Sequence, residues 1–177
     1  METPKFKKGD VFVDVGARIG KYTITTAKIV GDSGLVVSLE PFPANYRRLL
    51  ENIKMNNLTN VVALNVAAWC ARCDLKLFIA IEHGQHSVKK NFGRGFINVQ
   101  ADTLDNILGA LGVEKVNAIK IDVERAEAEV IKGSIKTLSK YHPRVIVEAL
   151  ESASIKELAD KIGYSMMQIG KYHSLLY

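Results

Sequence analysis

Apolar runs and helical patterns alternate along most of the chain. DVFVDVGA (10–17) reads as a short buried strand, and KYTITTAKIV (21–30) as a helix. GLVVSLEP (34–41) is a strand opened by a GDSG turn. ANYRRLLENIKMNN (44–57) is a helix whose spacing turns Leu49, Leu50, Ile53 and the following Leu58 inward. NVVALNVAAW (60–69) and KVNAIKIDVE (115–124) read as strands. AEAEVIKGSIKTLSKY (126–141) reads as one helix with Val130, Ile131, Ile135 and Leu138 inward. RVIVEAL (144–150) is a strand, ASIKELADKI (153–162) a helix closed by Gly163, and YSMMQI and YHSLLY flank Gly170 and Lys171 as a terminal hairpin.

Strands alternating with helices of this length predict βαβ units, an α/β class and a mostly parallel sheet. The rhythm breaks between residues 71 and 112. DLKLFIAI and FINVQAD look like two further strands around the polar segment EHGQHSVKKNFGRG, and TLDNILGALG like a short helix. With no linker and no repeat, residues 1–177 read as a single domain with an inserted strand and loop segment at about 71–101.

Composition narrows the class. The 177 residues are 47% hydrophobic with a formal net charge of +5, and no run of basic residues marks a nucleic-acid arm. No apolar run approaches the ~18 residues of a membrane span, and METPKFKKGD is not followed by the apolar stretch of a targeting segment. The expectation is a cytoplasmic protein without membrane contact. Cys70 and Cys73 form a lone C-x-x-C. A structural zinc site needs four ligands, and a redox pair would open a helix, so two reduced thiols are expected.

Chemistry enters at the strand ends. In open α/β sheets ligands sit beyond the carboxyl ends of the strands. Those ends fall near Asp14, Glu40, Asn65, Asp122 with Glu124, and Glu148. Acids at helix N-termini often only cap them, but carboxylates at this many neighbouring ends suit hydroxyl groups or a cation. Glu40 lies about 20 residues beyond the Gly16–Gly20 turn, where an acid accepts the ribose hydroxyls of an adenosine cofactor. NAD would use such an acid too, but G-x-G-x-x-G is absent, as is the G-x-x-x-x-G-K-[ST] of a phosphate loop. S-adenosyl-L-methionine fits what is left: a ribose, no phosphates, a sulfonium and an ammonium.

With these residues placed, the chain resembles the class I S-adenosylmethionine-dependent methyltransferases, and within them the FkbM family. DVGARIG is similar to the opening acid-x-Gly-x-x-x-Gly motif, SLEPFPANYRRLLENIKMNN to the second block, and NVVALNVAAW to the third. IKIDVERAEAEVIKGSIKTL followed by HPRVIVE is the most specific, and QADTLDNIL also fits. The resemblance runs from about Lys8 to Glu148. It implies a Rossmann-like, seven-stranded sheet with helices on both faces and a C-terminal antiparallel hairpin. It implies methyl transfer, most often to oxygen on small molecules or sugars. It also implies that Asp14, Gly16 and Gly20 shape the methionine-side loop, with Ala17 and Arg18 inside it. Glu40, next to Pro41, would hold the ribose, and Asn65, Val66 and Ala67 would lie by the adenine. Asp122 and Glu124 would face the sulfonium and the acceptor.

Two positions depart from that family pattern. Arg18 stands where a small or amide residue is usual, and Arg125 where glycine follows Asp-Val-Glu. A left-handed backbone there would cost an arginine roughly 1 kcal/mol. A hydroxyl acceptor needs a base, for which Asp122 or Glu124 is the candidate and His86 an alternative. The segment 83–96, with His83, His86, Lys89, Lys90 and Arg94, is long enough for a lid. With Arg18 and Arg125 it would form a basic mouth suited to an anionic acceptor, such as an acidic sugar, a carboxylate or RNA. A nucleic-acid or protein acceptor stays open without being favoured, because Asn-Pro-Pro-Tyr and its kin are absent after the fourth strand. A non-catalytic binding module and a homodimer stay open as well. No spacing demands a metal, although Asp122, Glu124 and Glu148 are conceivable ligands.

Overall fold

The computed structural model describes residues 6–80, 86–149 and 153–177. The strands are β1 (Val11–Val15), β2 (Leu35–Leu39), β3 (Val61–Leu64), β4 (Ala67–Ala68), β5 (Cys73–Phe78), β6 (Phe96–Asp102), β7 (Ala118–Ile121), β8 (Arg144–Glu148), β9 (Met166–Gln168) and β10 (His173–Leu176). The helices are α1 (Lys21–Val30), α2 (Pro43–Met55), α3 (Leu104–Ala110), α4 (Glu127–Lys132), α5 (Ile135–Tyr141) and α6 (Ala153–Lys161). A seven-stranded sheet runs β3-β2-β1-β7-β8-β10-β9. Its first five strands are parallel, and β10 and β9 close it as the expected antiparallel hairpin. The strand order reverses beside β1, so the carboxyl ends of β1 and β7 open the crevice where ligands bind in such sheets.

The central strands have a different character on each face, as a two-residue period requires. Val13, Val15, Val37, Leu39, Ile119, Ile121, Val145 and Val147 point into one buried core with Leu104, Leu108, Ile131, Leu138 and Ile155. On the other face Phe12, Val36 and Ala118 pack with Ala27 and Val30 of α1. One step further along that face the apolar layer gives way to a polar row. Ser38, Asp14 and Lys120 sit side by side in register on β2, β1 and β7, all buried.

The structure corrects three sequence expectations. The strand predicted over 60–69 is two strands in two sheets. It breaks at Asn65, whose side-chain amide donates to the carbonyls of Glu40 (2.8 Å) and Pro41 (3.0 Å). Beyond the break Ala67–Ala68 pairs with β6, and β5 pairs with its other side, giving a small β4-β6-β5 sheet. The helix predicted over 126–141 is likewise divided. Gly133 lies so close to the Trp69 carbonyl that a Cβ would collide with it. The second piece restarts under an acid from elsewhere, as Asp105 accepts from the backbone N–H groups of Lys136 and Thr137. Finally, Leu50 and Ile135 face outward, at 43% exposure each, while Leu49 and Leu138 are fully buried. Two positions predicted to end strands, Ile81 and Leu150, lie outside the described residues.

Candidate functional site

A cavity of about 340 Å³ opens at the carboxyl ends of β1, β2 and β7. Its best-defined group is Glu40, which follows β2 and is 5% exposed. Arg18 N–H donates to Glu40 Oε2 (2.8 Å) and Phe42 N–H to Oε1 (2.9 Å), so both oxygens are aimed by main chain. Burial pushes the Glu40 carboxyl above its ordinary value; those N–H groups and Asn45 oppose the shift, and the Asp14 charge adds to it. Apolar walls come from Val66, Ala67, Leu77 and Val88. His86 enters from the segment after β5 and meets the Phe42 ring at a tilt of 43°, ring centroids 4.0 Å apart.

The Gly16 turn is tight because it must be. Gly16 and Ala17 N–H both donate to the Leu39 carbonyl, and Gly16 has φ 79°. A Cβ on Gly16 would run into the Asp122 carbonyl, so β1 and β7 approach here at glycine distance. Arg18 is left-handed at φ 56°, as is Gly20 at 95° before α1. The Arg18 side chain is exposed, so it is the backbone that aims Glu40.

Among the residues singled out from sequence, Gly16, Arg18, Glu40, Pro41, Val66, Ala67, Asp122 and Glu124 line this cavity together. Ala17, Gly20 and Asn65 lie behind it and shape its turns. Asp14 does not reach the rim. It is fully buried, accepts from Thr23 Oγ1 (2.6 Å), and lies 3.4 Å from the ammonium of Lys120. A buried carboxylate needs compensation, and Lys120 supplies it. Sequence reading passed over Lys120, although a lysine inside Ala-Ile-Lys-Ile, a strand buried at every position, signals a paired charge. Its ammonium also lies 3.3 Å from Asp122 Oδ2. Burial alone would lower the pKa of Lys120, but the charges of Asp14 and Asp122 win and raise it.

A second cavity, of about 290 Å³, adjoins the first. Asp122, Glu124 and Glu148 line both. Lys90, Phe92, Arg125 and Tyr172 line only the second. Glu124 and Arg125 are consecutive left-handed residues, φ 51° and 80°. Glu124 binds its proton more tightly than an ordinary carboxyl, first through burial, then through the charges of Asp122, Glu127 and Glu148, with Arg125 opposing. Glu127 is raised as well, chiefly by burial.

Ser87 ties the segment after β5 across this boundary. Its Oγ donates to the Glu124 carbonyl (2.7 Å) and accepts from the N–H groups of Lys89 and Lys90. The expected basic mouth is therefore smaller than the sequence suggests. Lys89 pairs with Glu129 at 2.6 Å, His86 faces the first cavity, and His83 lies outside the described residues. Lys90 and Arg125 remain at the second cavity. Among the described residues, no group of three or more His, Cys, Asp or Glu is placed to hold a metal ion, and no helix is long and apolar enough to cross a membrane.

The model of the methyltransferase FkbM domain matches residues 14–166. A tRNA(Phe) (4-demethylwyosine(37)-C(7)) aminocarboxypropyltransferase of Methanocaldococcus jannaschii is 29% identical over 155 residues, covering 80% of this chain and 60% of that protein. The hexuronic acid methyltransferase AglP of Haloferax volcanii is 31% identical over 144 residues, covering 80% of this chain and 56% of that protein. The chain thus spans 60% or less of the length of these two relatives. The crystal structure of methyltransferase FkbM from Methylobacillus flagellatus superposes with a TM-score of 0.71 at 16% identity, covering 97% of this chain and 44% of that one. Aeropyrum pernix fibrillarin, solved with natively bound S-adenosyl-L-methionine, gives 0.61 at 16% identity, covering 99% and 68%. At such identities these two superpositions bear on the fold alone.

Proposed function

The chain belongs to the FkbM methyltransferase family, and from that premise we propose that it transfers a methyl group from S-adenosyl-L-methionine to a hydroxyl of a small, anionic acceptor such as an acidic sugar. The observation that carries this reading is the wall of acids shared by the two adjoining cavities. One cavity suits the cofactor, the other suits the acceptor, and transfer would take place at Asp122, Glu124 and Glu148.

The first cavity fits the cofactor by its chemistry. The Glu40 carboxylate, held by two N–H groups, would accept both ribose hydroxyls. Val66, Ala67 and Leu77 would flank the adenine, with His86 on the same cavity wall. The Gly16 turn leaves room for the amino-acid end. When bound, S-adenosylmethionine supplies a methyl group activated by its positive sulfur. The protein's task is then to position the acceptor, exclude water and take one proton. Glu124 is the proposed base, because a raised proton affinity suits a group that must accept a proton near neutral pH. Asp122, paired with Lys120, is the proposed electrostatic partner of the cationic centre.

The anionic acceptor is supported by Lys90 and Arg125 on the second cavity. It is also supported by the 31% identity to a protein named for hexuronic acid methylation. A second reading, an RNA acceptor, is favoured by the relative named for transfer to tRNA. The test is calorimetry with S-adenosylmethionine and S-adenosylhomocysteine, then transfer of labelled methyl to glucuronate, glucose and bulk tRNA. Label on glucuronate above glucose supports the proposal, label on tRNA alone supports the second reading, and no binding of either cofactor form defeats both.

A further inference from the structure

We propose that Lys120 is a positioning residue of the cofactor site, whose ammonium fastens the Gly16 turn at the end of β1 to Asp122 at the end of β7. The inference rests on the cofactor reading above, but nothing in that reading requires a lysine here.

The geometry assigns the role. Lys120 shares a strand face with Asp122, two positions on, and is the in-register neighbour of Asp14 on β1. Its apolar stem lies buried, and the head reaches the carboxyl edge of the sheet, as long basic side chains do when their stem is covered. There Nζ meets three oxygens from two strands. It lies 3.4 Å from Asp14 Oδ1 and 3.3 Å from Asp122 Oδ2, and it donates to the Gly16 carbonyl at 3.4 Å. The Tyr22 ring, its centroid 5.1 Å away, covers the ammonium on the α1 side.

Neutralising Asp14 would need only the first of these contacts. The other two reach groups that line the first cavity, Gly16 and Asp122. The ammonium holds Asp122 at Oδ2. The carboxylate is thereby fixed in rotation at the boundary where the cationic centre would lie. The same ammonium holds the Gly16 carbonyl inward, where the close approach of turn and β7 already forbids a side chain. One buried charge thus sets the spacing of two loops that come from distant parts of the chain.

The test separates positioning from plain charge balance. Lys120→Met leaves Asp14 buried with no cation, so Asp14→Asn/Lys120→Met is made instead, removing both charges of the pair, with Asp14→Asn as its reference. Folding is followed by thermal melts and S-adenosylhomocysteine affinity by calorimetry. A folded double variant is expected to bind about tenfold more weakly than its reference, the scale of one lost hydrogen bond from a charged group. Affinity equal to the reference would mean that Lys120 only neutralises Asp14, and would overturn the inference. A second measurement needs no variant. The ¹⁵Nζ resonance of Lys120 in the wild-type chain is expected to shift as S-adenosylhomocysteine saturates the site. A resonance that stays put under saturating ligand overturns the inference as well. A wild-type chain that binds neither S-adenosylmethionine nor S-adenosylhomocysteine defeats the cofactor reading itself, a result distinct from a loss confined to the double variant.

Discussion

Arg18 and Glu40 meet through the main chain: the Arg18 N–H donates to the Glu40 carboxylate at 2.8 Å, while the arginine side chain stays exposed. What position 18 must provide is therefore an N–H and a φ of 56°, not a guanidinium. Arg18→Gly retains both and relieves roughly 1 kcal/mol of left-handed strain, partly offset by the freer unfolded chain. Arg18→Pro loses both. Calorimetry with S-adenosylhomocysteine is expected to show the proline variant binding at least about tenfold more weakly than the glycine variant, as befits one lost hydrogen bond to a charged group.

Glu40→Ala removes the acceptor of two part-buried N–H groups, at about 1 kcal/mol for each lost bond. A lowered melting temperature is expected. In the proposed role the variant also loses both ribose contacts, so S-adenosylhomocysteine affinity should fall by about 100-fold or more. Unchanged affinity would remove Glu40 from the ribose.

The acids set a pH dependence whose sign is fixed by their shifts. Glu40, Glu124 and Glu127 all bind protons more tightly folded than at the ordinary value of 4.5. Their contribution to stability is therefore complete below 4.5 and is lost as pH rises through each raised value. Urea unfolding of the ligand-free protein, stepped from that pH to neutrality, should show this loss. Glu124→Gln should reduce it, since an amide has no proton to give up. A slope as steep in Glu124→Gln as in wild type would mean that Glu124 is not among the titrating groups.

Ser87 is 1% exposed and satisfies three backbone groups with one hydroxyl. Ser87→Ala strands the Glu124 carbonyl and the Lys89 and Lys90 N–H groups. A loss of about 1–3 kcal/mol is expected, measured by denaturant unfolding. Hydrogen exchange at Lys89 and Lys90 should accelerate more than at Val13 or Ile119 in the central strands. Exchange unaltered at 89 and 90 would show that the segment is held by other contacts.

The central sheet was legible in the sequence because its strands are buried on both faces and announce themselves as apolar runs such as Val-Phe-Val-Asp-Val. The acids were legible because each stands at the end of such a run. The failures share a different cause. The breaks at Asn65 and Gly133 are set by partners distant in sequence, the Glu40 carbonyl and the Trp69 backbone, which no local period reveals. Asp14 reads as a rim acid by position alone; only the register that puts Lys120 beside it shows that its charge is balanced inside. The crossing segment from His86 to Lys90 lacks periodicity, so its place between the two cavities emerges only in three dimensions.

The terminal hairpin carries a consequence for descent. The Ala149 N–H donates to the Tyr172 carbonyl at 2.8 Å, bringing Tyr172 to the second cavity from the last few residues of the chain. Lys90 and Phe92 reach it from the β5–β6 connection and, unlike His86 and Val88, do not line the first cavity. In the proposed reading, the surface that chooses an acceptor is thus borne in part on two peripheral segments, with Arg125 joining it from the turn after β7. Mutation of Lys90, Phe92 or Tyr172 can redraw that surface without touching Gly16 or Glu40, so in this reading lineages sharing one methyl donor are free to diverge in what they modify.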